Sequence, residues 1–360
     1  MNIKEIRPPG PKKARTRTLL LLSGGLDSLL AGKLLEEQGV EIVGLTFESV
    51  FFEPARAIVA AEKLNWPLIL VEITEEEIEL IEHPRYGYGR NLNPCIDCHG
   101  QMVRLATGLL PRYQADFIST GEVLGERPKS QNRQSLGLVE KLSAAKGLLL
   151  RPLSALLLPP TRAEELGLVN REKLLDLAGR SRQRQIELAE HYSLTDYPTP
   201  SGGCLLTDPG FSQKLRQLRE WRGGWLPEDI EIIKHGRVFL ETDGLIVVGR
   251  QQEENERIEK KALASDLLLA LADLKGPLTA IRFKDKNQPA WSQLLASAAG
   301  QTALSDDQLD IFDHPLVKKA ALLTIRYSHS RSAGEATVIL LSPARGQSRK
   351  FKKEEWQPYF

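Results

Sequence analysis

Ser23-Gly24-Gly25-Leu26-Asp27-Ser28 combines the groups that hold phosphate. Two glycines let the main chain approach an anion closely, and Ser23 and Ser28 offer hydroxyls. The segment lies between a short apolar run, Thr18–Leu22, and a stretch of helical character, Ser28–Gln38, closed by Gly39. A helix in that place points its N-terminal N–H groups and positive dipole end at the same anion. Asp27 would repel bare phosphate, so a Mg²⁺ ion between the two is expected. No lysine follows the glycines, which separates this loop from the kinase type. A Gly-rich turn with an Asp/Ser helix cap would use the same residues.

The chain has three cysteines. Cys95-Ile96-Asp97-Cys98 follows Asn93-Pro94 and begins a helical segment, a position that lowers thiol pKa and favours thiolate. Cys204 ends a Pro/Gly-rich stretch, Tyr197–Gly203, whose turns can fold it back over the phosphate loop. Three chemistries suit this set. Cys95, Cys98 and Cys204 could hold a cubane [4Fe-4S] cluster with one iron left open for sulfide. Cys204 or Cys98 could carry sulfur as a persulfide that another cysteine resolves. Structural zinc is the third, with His99 or another residue as fourth ligand. Cys95–His99 also matches the c-type haem attachment pattern. That chemistry needs export, and the basic, Pro-rich stretch Met1–Arg17 has no apolar signal core. The other histidines (His83, His191, His235, His314, His329) show no ligand spacing.

Positioning these groups needs a scaffold. At 360 residues the chain exceeds the size at which one core stops growing, so two domains are expected. It is 41% hydrophobic and 26% charged, with a formal charge of +1. That excludes a uniformly basic surface and leaves room for a local basic face. No apolar run approaches membrane-spanning length, and the expected location is cytoplasmic, with reduced cysteines. Strands are predicted at Thr18–Leu22, Glu41–Phe47, Pro67–Ile73 and Asp116–Thr120, and helices at Ser28–Gln38, Glu53–Leu64 and His99–Leu110. Strands alternating with helices predict an α/β fold with a parallel sheet covered on both faces. The expected division is a basic N-terminal tail over 1–17, a first domain over 18–222 and a smaller α+β domain over 225–360. Thr161–Tyr192 reads as a basic helix through Arg162, Arg171, Lys173, Arg180, Arg182 and Arg184. In the second domain Ile230–Ile233, Val238–Glu241 and Leu245–Val248 read as strands, with Asp243-Gly244 as a hairpin turn.

The Ser23–Ser28 segment resembles the SGGxDS motif of the PP-loop ATP pyrophosphatases, proteins of the adenine nucleotide alpha hydrolase-like fold. The resemblance implies cleavage of ATP to AMP and pyrophosphate while a carbonyl oxygen is adenylated. It implies ATP-binding roles for Ser23, Gly24, Gly25, Asp27 and Ser28. Ser119-Thr120-Gly121-Glu122-Val123-Leu124-Gly125, followed by Ser130-Gln131, resembles the TGExxGQ…SQ segment of tRNA 4-thiouridine synthetases. This adds Gly121 and Glu122 to the expected ATP site. Glu126-Arg127 departs from that segment, which usually has Gln and an apolar residue there. Several tRNA thiolation enzymes of this group carry a CxxC pair and one distant cysteine on an iron–sulfur cluster. By that likeness Cys95, Cys98 and Cys204 are the expected metal ligands, and Asp27 and Cys204 the expected catalytic residues. The implied substrate is tRNA, thiolated to 4-thiouridine or 2-thiouridine, with sulfide or a sulfur-carrier protein as donor. A persulfide sulfurtransferase and a small-molecule adenylating ligase are the alternatives. Arg151-Pro152-Leu153 lies at another predicted strand end, where Arg151 is expected to contact phosphate.

Gly236-Arg237-Val238-Phe239, Thr242–Arg250, Glu254-Asn255-Glu256 and Lys260-Lys261-Ala262 resemble the RNA-binding domain of the NFACT proteins, over roughly residues 231–285. Leu267-Leu268-Leu269 replaces the Trp-His of that domain. Arg345, Arg349, Lys350, Lys352 and Lys353 are interleaved with Phe351 and Trp356, a mixture suited to phosphates and unpaired bases. Only 17 residues precede the first predicted strand. RNA contacts are therefore expected from the C-terminal domain or from Thr161–Tyr192.

Overall fold

The apolar runs pair as a sheet with order β1-β4-β3-β2-β5-β6. Its strands are β1 (Asn2–Arg7), β2 (Arg17–Leu21), β3 (Glu41–Glu48), β4 (Leu68–Glu72), β5 (Phe117–Thr120) and β6 (Leu149–Leu150). The structure is a computed structural model describing residues 2–195, 197, 204–272, 274–285, 310–328, 333–342 and 347–356. Chain contacts divide it into two units, Met1–Ser212 and Gln213–Phe360.

In the first unit β2 to β6 run parallel, while β1 adds an antiparallel edge along β4. The segment expected to be a basic tail is therefore partly a strand. Its alternating residues are mostly exposed, so it carries no continuous apolar signal; pairing with the β4 edge makes it a strand. Adjacent residues of β2 face opposite cores. Leu20 packs with α1 (Leu26–Glu36) and α2 (Ala55–Lys63), and Leu19 with α4 (Cys95–Leu109) and α5 (Arg133–Ser143). Both faces are buried, as a parallel sheet with helices on each side requires. The strand order reverses beside β2, whose neighbours are β3 and β5. That places the loops after β2 and β5 side by side at the carboxyl edge, where open α/β sheets bind ligands.

The predicted basic helix is three short pieces: α6 (Arg162–Glu165), a 3₁₀ turn at Arg171–Lys173 and α7 (Gln183–His191). Gly167, just after α6, adopts φ of 61° and ends its winding, and Gly179 adopts φ of 84° in the non-helical stretch before α7. The stretch 198–203 lies outside the described residues.

The second unit is an antiparallel sheet ordered β12-β11-β9-β10-β8-β7. Its strands are β7 (Arg237–Leu240), β8 (Gly244–Val248), β9 (Leu267–Leu271), β10 (Thr279–Phe283), β11 (Glu335–Ser342) and β12 (Ser348–Lys352). Ile230–Ile233, predicted as strand, belongs to helix Pro227–Ile233; Pro227 at N1 and Glu228 and Asp229 in the first turn are a helix start that outweighs the apolar run. The β7–β8 turn is Thr242-Asp243, with Gly244 already in the strand. Leu267-Leu268-Leu269 lies in a central strand. Phe351 and Trp356 are both 0% exposed and fill the core, so they are not stacking surfaces. Arg349 pairs with Asp310 and Asp313, and Lys350 with Glu335; Arg345 lies outside the described residues. Asn255 sits inside helix Gln252–Lys261, where its Oδ1 accepts from Leu278 N at 3.0 Å, and Arg250 pairs with Glu254 at 2.6 Å.

Candidate nucleotide and sulfur site

Leu26 begins α1 directly after the two glycines. The cap residue Gly25 has an extended backbone and no side-chain cap, leaving the first-turn N–H groups to an incoming anion. Gly24 has φ of 73°, and a Cβ there would lie 2.5 Å from the Arg56 carbonyl carbon. It is glycine for the turn and for close packing on α2. Gly25 is less confined, since its Cβ would meet only Ser23 Oγ at 3.3 Å. Ser28 Oγ donates to Gly25 O at 2.8 Å and lies 3.3 Å from Ser23 Oγ, closing the loop on itself.

Gly121 explains why the second motif belongs with the first. A Cβ at 121 would stand 2.5 Å from Asp27 C and Ser28 N, so the β5 turn packs on the α1 N-terminus with no side chain between. Gly121→Ala should lower ATP affinity by more than about tenfold and cost about 1–3 kcal/mol of stability as the loop is pushed away. Nucleotide titration and thermal unfolding measure both. Unchanged ATP affinity would show that the contact does not set the loop.

Asp27 is largely buried. Burial raises its pKa, and Arg182, Arg127 and the nearby Gln185 amide counter that in part. Glu126 is raised by burial and by Asp27, against the pull of Arg182 and Arg127. The loop 121–126 is joined to 178–179 by the Leu124–Ala178 bridge and by Gly179 N donating to Leu124 O at 2.8 Å, which sets α7 over α1.

Glu122 is 8% exposed and both its oxygens are engaged. His99 Nδ1 lies 2.9 Å from Oε1; Oε2 accepts from Arg151 Nε at 2.9 Å and Thr120 Oγ1 at 3.3 Å. Burial opposes its ionisation, but Arg151 and His99 win and hold its pKa at about 2. The ionised carboxylate only accepts, so Nδ1 carries the proton. Arg151 also donates to Glu140 at 2.5 Å and Leu136 O at 3.3 Å. Its guanidinium is occupied by protein oxygens at 3% exposure, which corrects the expectation that it contacts phosphate.

The three thiols converge within the first unit. Cys95 and Cys98 open α4. Asn91 Nδ2 donates to Thr207 O at 2.7 Å, tying the segment before Cys95 to the 3₁₀ turn Leu205–Thr207 that Cys204 caps. Cys95 Sγ accepts from Asn93 Nδ2 at 3.2 Å, and Cys204 Sγ from Leu206 N at 3.4 Å. The expected thiolate at Cys98 is corrected. Burial, then the charges of Glu77 and the other two cysteines, push its pKa well above the ordinary value. Cys204 is pushed up to about 12 by burial, with Glu77 and Cys95 adding to it against one backbone N–H. A helix terminus contributes only about 0.3–1 kcal/mol, too little to offset such burial.

Glu77, on α3 (Thr74–Glu82), was not legible as a site residue. It sits among Glu75, Glu76 and Glu79 with nothing in composition to set it apart, and helical phase alone buries it. It is 0% exposed, no nitrogen or oxygen donor bonds its carboxylate, and burial raises its pKa to about 7 although the Cys98 thiol and the His99 charge draw it down. Three soft sulfur donors beside an uncompensated carboxylate fit a bound cationic centre by chemistry. Among the described residues, no group of three or more His, Cys, Asp or Glu side chains is placed to hold a metal ion.

A six-stranded, mainly parallel sheet with a Gly-rich loop at its reversal point is an α/β arrangement suited to binding a nucleotide at its carboxyl edge. Residues 14–156 match the family described as "Thiamine biosynthesis protein (ThiI)". A "Probable tRNA sulfurtransferase" of Clostridium kluyveri is 30% identical over 164 residues, covering 42% of this chain and 41% of that one. The chain thus spans under half the length of that relative. A "tRNA-specific 2-thiouridylase MnmA 2" of Fusobacterium nucleatum is 23% identical over 274 residues, 72% of this chain and 74% of the relative. Among solved structures, a 4-thiouridine synthetase–RNA complex with bound ATP has 23% identity, a TM-score of 0.32 and coverage of 56% of this chain and 50% of that one. The U34-tRNA thiolase NcsA from Methanococcus maripaludis, with its [4Fe-4S] cluster, has 17% identity, a TM-score of 0.30 and coverage of 58% and 68%. No helix among the described residues is long and apolar enough to cross a membrane.

Proposed function

We propose that this protein is an ATP-dependent tRNA sulfurtransferase, which adenylates a uracil carbonyl oxygen and replaces that oxygen with sulfur. The observation that carries this reading is one continuous path. The cysteines adjoin His99, His99 is bonded to Glu122, and Gly121 packs on Asp27 and Ser28. Nucleotide activation and sulfur chemistry would thus share one edge of one sheet.

The loop's serines, its open backbone and the α1 N-terminus hold the phosphates, with Asp27 on their Mg²⁺ ion. The base oxygen attacks the α-phosphorus and pyrophosphate leaves. AMP then makes a good leaving group of an oxygen that is a poor one by itself. Cys95, Cys98 and Cys204 would hold a [4Fe-4S] cluster, which when bound supplies an open iron for sulfide brought as such or by a carrier protein. The phosphate loop and the three cysteines both belong to the first unit, and tRNA contact would come from the C-terminal domain or from Thr161–Tyr192.

Nucleosides from total tRNA of cells lacking the gene, analysed by mass spectrometry, test this. One thionucleoside, 4-thiouridine or 2-thiouridine, should disappear and return with the intact gene, but not with Cys204→Ala. Anaerobically prepared protein should carry about four irons per chain and lose them in the same variant. An unchanged inventory in a strain without a duplicate enzyme would leave the small-molecule ligase as the better reading.

A further inference from the structure

Arg182 and Gln185 stand at the phosphate loop outside both motifs, and Glu126 stands within the second where the resembled segment has Gln. Arg182 Nη2 lies 3.7 Å from Asp27 Oδ2, and its Nε lies 3.9 Å from Glu126 Oε1. Both separations are too long for hydrogen bonds, so charge alone holds the guanidinium between two carboxylates. Arg182 Nε, Asp27 Oδ1 and Gln185 Nε2 are all buried without a hydrogen-bond partner. Gln185 is 1% exposed and approaches the same Asp27 carboxylate. Buried polar atoms are ordinarily paired, so an unpaired atom on Asp27 and on each of two side chains beside it marks a place shaped for more than a structural ion pair.

The acidic pair has a sequence counterpart. Glu126 is the position at which this chain departs from the segment it resembles, with a carboxylate in place of an amide. Two carboxylates facing one point repel each other, and a monovalent guanidinium at this range offsets that only in part. A compact dication bound directly by oxygen offsets it far better.

We propose that Asp27 and Glu126 together form a divalent-cation site for metal–ATP, that Arg182 fills it in the resting protein, and that Arg182 and Gln185 turn to the nucleotide's phosphates when the ion enters. The proposal rests on the reading of Ser23–Ser28 as a nucleotide loop. Arg182 is then a positioning residue with two opposed effects: it blocks the ion and recruits the anion. A guanidinium freed from its carboxylates suits the second task because its forked donors match phosphate oxygens.

The test uses the full chain. Mn²⁺ alone, and Mn²⁺ with ATP, are titrated by electron paramagnetic resonance of the free ion, with ATP affinity from calorimetry. Arg182→Ala should bind Mn²⁺ alone about tenfold more tightly and metal–ATP about tenfold more weakly, each equivalent to about 1.4 kcal/mol. Glu126→Gln should weaken Mn²⁺ in the presence of ATP by about tenfold. Arg182→Lys keeps the charge and should still compete with Mn²⁺. Thermal unfolding confirms that each variant is folded. Opposite signs for the two ligands in Arg182→Ala cannot come from a merely structural ion pair. If Arg182→Ala shifts both affinities the same way, or neither, or if Glu126→Gln binds Mn²⁺ as well as the intact protein does, the proposal is overturned. Failure of the intact protein to bind ATP at all would instead remove the nucleotide-loop reading beneath it.

Discussion

Asp27→Asn should reduce ATP-dependent pyrophosphate release by about 10²–10³-fold while leaving the protein at least as stable as before. The two halves of this expectation have one cause. Burial raises the Asp27 pKa above its ordinary value, outweighing Arg182 and Arg127. A carboxylate whose folded pKa lies above its unfolded one favours folding at low pH, and that contribution is lost as pH rises through the folded value. At neutral pH its charge is therefore held against the fold's preference, a pattern typical of groups kept for function. Pyrophosphate release with tRNA present, compared with thermal unfolding of the same sample, separates the two. A variant that loses stability and activity in proportion would show Asp27 to be a structural cap.

Glu122→Gln should do the reverse and strike the fold. Its folded pKa of about 2 lies below the ordinary glutamate value of 4.5. The stabilisation is fully present above the unfolded value and fades as pH falls from about 4.5 through 2. The gap corresponds to about 3 kcal/mol at pH 7. Glutamine would also leave Arg151 buried with an uncompensated charge on that side, which breaking a buried pair always risks. Urea unfolding of the two proteins at pH 7 should show the full difference, and at pH 3 a smaller one. A difference that does not shrink on acidification would mean that shape rather than charge holds the site. Because His99 donates to Glu122, the change also loosens the neighbour of Cys98.

The first domain was the more legible part because its signals are local. Four predicted strands and three helices fall within a few residues of β2, β3, β4, β5, α1, α2 and α4, since buried parallel strands read as unbroken apolar runs. Signals that depend on a partner were lost. Asn2–Arg7 becomes a strand only against the β4 edge, and Thr161–Tyr192 breaks where two glycines take positive φ. Ile230–Ile233 has the composition of a strand, and its start signals make it a helix.

Residue types and spacing alone determined that there is a phosphate-type loop, a second Gly-Glu turn and a set of three cysteines, since turns, caps and periodicities are properties of a few neighbouring residues. Tertiary structure decided which of these meet. The reversal of strand order beside β2 puts Gly121 on Asp27, and the packing of α3 and α4 brings Glu77 from an ordinary acidic run to the thiols. It also decided protonation. A helix N-terminus in isolation favours thiolate, but desolvation by a whole domain pushes Cys98 and Cys204 the other way. Charge and burial act through space, over distances that sequence separation does not encode.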